Sequence, residues 1–246
     1  MHFDYELSAK RPKQIGLVVL QSDESLEPDM RALLPAKVEI LVSRIPSAAE
    51  VSPETLRAME PLLTQAAALL PGGAKLSAVG YGCTSASAQI GSERISELIQ
   101  AGIETPAVTE PVSALLAACR HLNASRIAML SPYTARVSDK LCSVLTENGI
   151  GVETVASFDE PTEERVVRIS DASITRAAIE MERATDCDAV FLSCTNLRTL
   201  DVIEEIEART GKPVLSSNQV LAWHLGQLSN FGADMRGPGR LFADLA

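Results

Sequence analysis

Nothing in the 246 residues approaches the roughly 20 consecutive apolar positions that span a bilayer. The longest apolar runs, 15–20 and 115–119, are core-sized. Residues 1–13 mix acid and base without an apolar signal region, so the expected location is the cytoplasm, with no membrane contact. Positive charge is short as well: 22 Lys and Arg against 32 Asp and Glu leave a formal net charge of −10. Such a surface lacks the basic patch that displaces counterions from phosphates, which argues against nucleic-acid partners. Histidine is scarce, with His2, His121 and His224 far apart, and the five cysteines include no Cys-x-x-Cys pair. Structural zinc needs clustered ligands, so no metal site is expected. An odd cysteine count in a chain this long also speaks against a disulfide framework. A glycine-rich phosphate loop is missing too. Gly80-Tyr81-Gly82 is followed by Ser85 where a third glycine would be needed, and the glycines at 72–73 precede a strand instead of following one. With no lysine in a strand-end motif, no cofactor is expected.

What the chain does have is 46% apolar residues, enough for a sizeable core, in segments of two alternating kinds. Apolar, β-branched runs at 15–20, 38–45, 76–81, 107–109, 126–130, 152–158, 189–193 and 214–216 predict strands. Between them, helical spacing places Leu56, Met59, Leu62, Leu63, Ala66 and Leu70 on one face of a helix over 53–70. Ser-Asp-Ala-Ser at 170–173 caps a second helix over 170–185. Apolar strands alternating with helices predict a parallel α/β sheet covered on both faces. The pattern also repeats. Residues 14–20 resemble 126–131, 78–84 resemble 189–195, and 106–110 resemble 213–217, in the same order at an offset of roughly 110. Two similar α/β halves facing each other follow, the first expected to comprise residues 14–118 with 214–246, the second 119–213.

Each half carries a cysteine just past the carboxyl end of a strand, Cys83 and Cys194, each followed by Thr and an expected helix start. Ligands of open α/β sheets bind at that end. Pseudo-twofold packing would therefore bring both thiols to one cleft, each near a helix N-terminus that lowers a thiol pKa. A free cysteine is most often only a small buried apolar group. Two at equivalent repeat positions favour chemistry. Cys119, Cys142 and Cys187 fall in expected helices or at a helix end and carry no such argument.

Gly82-Cys83-Thr84-Ser85 and Ser193-Cys194-Thr195-Asn196 resemble the paired cysteine motifs of the aspartate/glutamate racemase superfamily. Ser131-Pro132-Tyr133 and Ser216-Ser217-Asn218-Gln219 narrow the resemblance to the branch of maleate cis–trans isomerases and arylmalonate decarboxylases. Within that branch the chain is most similar to racemase-like proteins encoded with ectoine-utilisation enzymes. The resemblance extends over about residues 12–228. It implies an α/β fold of two pseudosymmetric four-stranded parallel sheets flanked by helices, with the active site in the cleft between the halves. It also implies a homo-oligomer that needs no cofactor. Cys83 and Cys194 become the catalytic pair, and Thr84, Ser85 and Tyr133 the donors to a substrate carboxylate, where they would stabilise a developing enolate. Thr195 and Asn196 join the substrate-binding set, and Asn218 is its weaker, site-supporting member.

Decarboxylases of the branch carry glycine where Cys83 stands, which weighs against decarboxylation. Two reactions remain. Opposed thiols can remove a proton from one face of a carbon and return one to the other, or a thiolate can add to a double bond, allow rotation and leave. Maleate isomerases place an Asn after the first strand; this chain has Asp23 there. A carboxylate facing a carboxylate is repelled by on the order of several kcal/mol at low dielectric, so Asp23 favours an amino or amidine-like nitrogen. Its bland alternative is a turn or helix cap. The expected function is a cofactor-independent racemase or isomerase of a small, amino-acid-like carboxylate. Maleate-type isomerisation and non-catalytic binding of a small carboxylate are the alternatives.

Overall fold

Lys13–Leu20 (β1) is buried from Gln14 onward, as a strand must be when helices cover both faces of its sheet. It pairs in parallel with Val38–Ile45 (β2) on one side and Leu76–Gly82 (β3) on the other. Val108–Thr109 (β4) completes a sheet of order β2-β1-β3-β4. Arg126–Ser131 (β5), Gly151–Ser157 (β6), Ala189–Leu192 (β7) and Val214–Ser216 (β8) build a second parallel sheet in the same order, β6-β5-β7-β8. This is a computed structural model, and it describes residues 1–243. Two four-stranded parallel sheets are what the family resemblance implied. In each sheet the chain leaves the central strand on one side and returns on the other. A crevice therefore opens beyond the carboxyl ends of β1 and β3, and likewise of β5 and β7.

The helices of the first half are Leu26–Leu33 (α1), Pro53–Arg57 (α2), Leu63–Ala68 (α3), Thr84–Ile90 (α4), Ser92–Gly102 (α5) and Pro111–His121 (α6). Those after β5 are Ala135–Glu147 (α7), Glu163–Val166 (α8), Asp171–Arg183 (α9), Ile203–Thr210 (α10) and Ser217–Leu228 (α11). Ser170 caps α9 by accepting from Ser173 N, as its sequence signal suggests. Among the described residues no helix is long and apolar enough to cross a membrane.

Two expectations change. The helix predicted over 53–70 is broken into α2, a 3-10 turn at Glu60–Leu62, and α3. Pro61 is the cause, since it has no N–H to donate and its ring clashes with the carbonyl four residues back. The apolar face survives the break, with Leu56, Met59, Leu63, Ala66 and Leu70 all buried. The division that assigns 214–246 wholly to the first half also needs correction. β8 hydrogen-bonds to β7 in the second sheet, whereas α11 packs on α1, α6 and β3. The repeat itself equated 213–217 with 106–110, the β4 segment, so β8 belongs where its pseudo-equivalent would place it. The chain crosses between halves at Ser216 and Ser217.

β3 ends at Gly82, where a Cβ would stand 2.2 Å from Leu26 Cδ2 and 3.5 Å from Val18 O. Leu26 is fully buried at the start of α1, so its side chain has no free space to swing into. Gly82→Ala is expected to cost about 1–3 kcal/mol in urea unfolding. A loss below about 0.5 kcal/mol, the range of neutral surface changes, would mean that α1 yields freely.

Candidate active site

The carboxyl ends of β1, β3, β5 and β7 each deliver polar residues to one small cleft. Asp23 follows β1, Cys83, Thr84 and Ser85 follow β3, Tyr133 follows β5, and Cys194, Thr195 and Asn196 follow β7; all of them line it. Its volume is about 10 Å³, room for about one water. The loops after β2 and β6 meet at its edge. Val51 N donates to Pro161 O (2.9 Å) and Glu163 N to Ala49 O (3.0 Å), with an antiparallel bridge between Glu50 and Thr162.

Cys83 is the N-cap of α4, its Sγ accepting from Ala86 N at 3.3 Å. Cys194 does not open a helix as its sequence suggested; it stands just before a turn at 195–196, with φ of +143°. That backbone state is rare for a residue with a side chain and costs on the order of 1–3 kcal/mol. In it, Cys194 Sγ accepts from Asn196 N (3.2 Å) and lies 3.0 Å from the Tyr133 hydroxyl. Ser217, the first residue of α11, ties the two cysteine motifs together. Its Oγ accepts from Cys194 N (3.0 Å) and from the Thr84 hydroxyl (2.8 Å).

The expected lowering of both thiol pKa values is not found. Burial pushes Cys83 up to about 12, with only partial relief from Ala86 N, and the Glu163 and Asp23 carboxylates add to the rise. Burial also holds Cys194 well above an ordinary thiol. Glu163 adds to this, and the Tyr133 hydroxyl and Asn196 N pull the other way. Desolvation outweighs the few N–H donors available.

Asp23 is only 3% exposed. Its Oδ1 accepts from Ser25 N (2.9 Å) and Leu26 N (2.8 Å), which caps the entry to α1, while Oδ2 has no hydrogen-bond partner. The cap reading of Asp23 is met by Oδ1, and the residue also lines the cleft. Burial raises its carboxyl to about 7 against the pull of Leu26 N, Ser25 N and the nearby Thr195 hydroxyl, and the Glu163 charge raises it further. Thr195 itself donates to Gly82 O at 3.3 Å.

Glu163, the first residue of α8, lines the cleft and is buried, yet nothing in the sequence singled it out. There it is one of four acids in 159–164 at an apparent helix start. The signal that could have raised it is the repeat, which makes the loop after β6 the counterpart of the loop after β2. Its Oε1 accepts from the Tyr133 hydroxyl (2.7 Å) and its Oε2 from Asn196 Nδ2 (2.7 Å). Asn196 Oδ1 accepts from Glu24 N at 2.9 Å, which fixes the orientation of that amide. Asn218, by contrast, does not reach the cleft. It is fully buried behind it, with Nδ2 donating to Thr195 O (2.8 Å) and Asp29 Oδ2 (2.7 Å). Rooted in α11, it braces the turn that carries Cys194 and does not touch the space a substrate would fill. Among the described residues no Lys, Arg or His lines the cleft, whose ordinarily charged groups are Asp23 and Glu163.

Comparison with known proteins gives a consistent picture. The arylmalonate decarboxylase family model matches residues 15–242. An arylmalonate decarboxylase of Bordetella bronchiseptica is 34% identical over 132 residues, 53% of this chain and 55% of that one. A maleate isomerase of Pseudomonas putida is 28% identical over 83% of this chain and 86% of its own. A liganded arylmalonate decarboxylase variant, with one glycine changed to cysteine and one cysteine to serine, superposes with a TM-score of 0.86 at 27% identity. That superposition takes in 94% of this chain and 99% of the variant.

Proposed function

Because this chain belongs to the arylmalonate decarboxylase family, we propose that it is a cofactor-independent isomerase that inverts a carbon of a small carboxylate bearing a cationic nitrogen. One of the two strand-end thiols, as thiolate, takes the proton from that carbon, and the other returns a proton to the opposite face. The Thr84 and Tyr133 hydroxyls are committed within the protein, so Ser85 is left as the side-chain donor to the substrate carboxylate. Such a donor matters most as enolate charge develops.

One observation carries the reading. A buried carboxylate oxygen of Asp23 stands without a partner in a cleft that holds both thiols and no basic side chain. A dianion would meet no cationic side chain there, whereas an ammonium or amidinium group would supply the missing donor. Amino acids and cyclic amidine carboxylates are the substrates to try first, the resemblance to proteins encoded with ectoine-utilisation enzymes being a further reason. The second reading, cis–trans isomerisation by thiolate addition, draws on the likeness to maleate isomerases.

Turnover in heavy water separates the two. Inversion by opposed thiols should place deuterium at the inverted carbon in the first turnover, because thiol protons exchange with solvent. Addition, rotation and departure leave vinylic hydrogens in place. Rapid conversion of maleate without deuterium uptake would overturn the first reading in favour of the second.

A further inference from the structure

The two thiols are not equivalently supported. Cys83 Sγ meets only backbone N–H groups, accepting from Ala86 N with Ser85 N close by. Cys194 is the end of a hydrogen-bonded chain, Cys194 Sγ to Tyr133 Oη (3.0 Å) to Glu163 Oε1 (2.7 Å), inside a cleft with room for about one water. Tyr133 brings one hydrogen to two contacts. If it donates to Glu163, its oxygen accepts from the Cys194 S–H; if Glu163 holds the proton and donates to Tyr133, the hydroxyl donates to a Cys194 thiolate. Both arrangements keep every contact and the same number of protons. They differ only in which end of the chain is charged.

We propose that Glu163 is the proton acceptor for Cys194, reached through the Tyr133 hydroxyl, so that Cys194 begins the reaction as thiolate and Cys83 as thiol. The step balances internally: the S–H bond of Cys194 breaks, Tyr133 passes its own proton to Glu163 Oε1 and takes the thiol proton, and net charge is unchanged. Burial, and after it the Glu163 charge, holds Cys194 against losing its proton to solvent, which would add a second negative charge to a buried site. Transfer within the chain avoids that. The resulting thiolate accepts from both Tyr133 Oη and Asn196 N, while Asn196 Nδ2 holds the other oxygen of Glu163. Glu163 exchanges protons with Cys194 only through Tyr133 and is a positioning residue in that sense.

The proposal deepens the two-thiol reading and rests on it for its catalytic meaning, but its test needs no substrate. The groups facing Cys194 are Tyr133, Glu163, Asp23 and Cys83. Asp23→Asn is therefore included throughout, so that its titration near neutrality does not bend the profile. Alkylation of Cys194 by iodoacetamide, quantified by peptide mass spectrometry, is followed against pH in that background, alone and with Glu163→Gln or Tyr133→Phe. Poor access to the cleft scales all rates and leaves the slope intact.

With the chain intact, the rate should be nearly flat across neutral pH, since the shared proton does not come from solvent. With either substitution it should rise about tenfold per pH unit, as for an isolated thiol. Should one variant fail to fold, the other decides. Parallel tenfold slopes in all three proteins, with Glu163→Gln the fastest, would reduce Glu163 to a like charge beside the thiol and overturn the proposal. A flat profile that persists in a variant would do so too. A flat intact profile in a protein that inverts no substrate would sustain the proton chain and remove the function; a steep profile with deuterium incorporation would do the reverse.

Discussion

Alanine at either Cys83 or Cys194 is expected to lower inversion by about 10²–10⁴, the usual worth of a positioned acid or base. The losses should differ in kind. With Cys83 gone, Cys194 can still remove a proton from the face it sees and return one to that same face. One hand of the substrate should then exchange its hydrogen with solvent without inverting. The Cys194 variant should do the complementary thing more weakly, since no hydroxyl–carboxyl chain like that of Tyr133 and Glu163 stands behind the Cys83 sulfur. Proton NMR in heavy water reads both exchange and inversion in a single experiment. Retention of more than about a tenth of the inversion rate would be less than an acid or base is worth, and would remove that thiol from the reaction. Structural loss can be told apart by unfolding. Cys83 serves as a helix cap, and losing a good cap costs about 1 kcal/mol, too little to abolish folding.

Asp23→Asn should act in two directions at once. In the folded protein this carboxyl titrates near 7, against an ordinary 3.8. Below 3.8 both folded and unfolded chains hold the proton. Between the two values only the folded chain does, so stability falls as pH rises through this window and is lowest above about 7. The gap, at about 1.4 kcal/mol per pH unit, amounts to about 4 kcal/mol. Asparagine keeps an oxygen for Ser25 N and Leu26 N and has no charge to desolvate. It should therefore be more stable than wild type above neutrality by up to that amount, and little different in acid. Urea unfolding of both proteins against pH reads the effect as a difference: the buried carboxyls Asp29 and Glu110 are common to both, and Glu163, coupled to Asp23, shifts with it. The same substitution should weaken a nitrogen-bearing substrate at least tenfold, as a charge-assisted contact is worth about 1.5–3 kcal/mol. Superimposable pH profiles for the two proteins would mean that Asp23 is not held out of water. Unchanged kinetics would return it to the role of a cap alone.

The strands were legible because each is an apolar, β-branched run, and the two sheets because three of those runs repeat in order. Cys83 and Cys194 were legible for the same reason: position in a repeat is a long-range fact that the sequence preserves. Three things were hidden. The break at Pro61 was masked by an apolar face at helical spacing that continues across it. The turn at Cys194 depends on Ser217 and Asn218, some twenty residues downstream, which hold it from α11. Glu163 reaches the cleft because two loops from opposite halves pair at its edge, and no local pattern encodes that meeting. Thiol acidity departs from its sequence expectation for a related reason. A helix start is a local property, while the burial that outweighs it belongs to the whole fold.

The unequal surroundings of Cys83 and Cys194 also have a kinetic side. Mirror-image substrates have equal free energies, so the equilibrium constant of a racemisation is one. The specificity constants, kcat/KM, for the two enantiomers must then be equal, however different the two thiols are. The difference can surface only in kcat and KM taken separately, with the hand that binds more tightly turning over proportionately more slowly. A diastereomeric substrate, carrying a second stereocentre, is free of that constraint. With it, the asymmetry of the cleft would become a true preference for one direction.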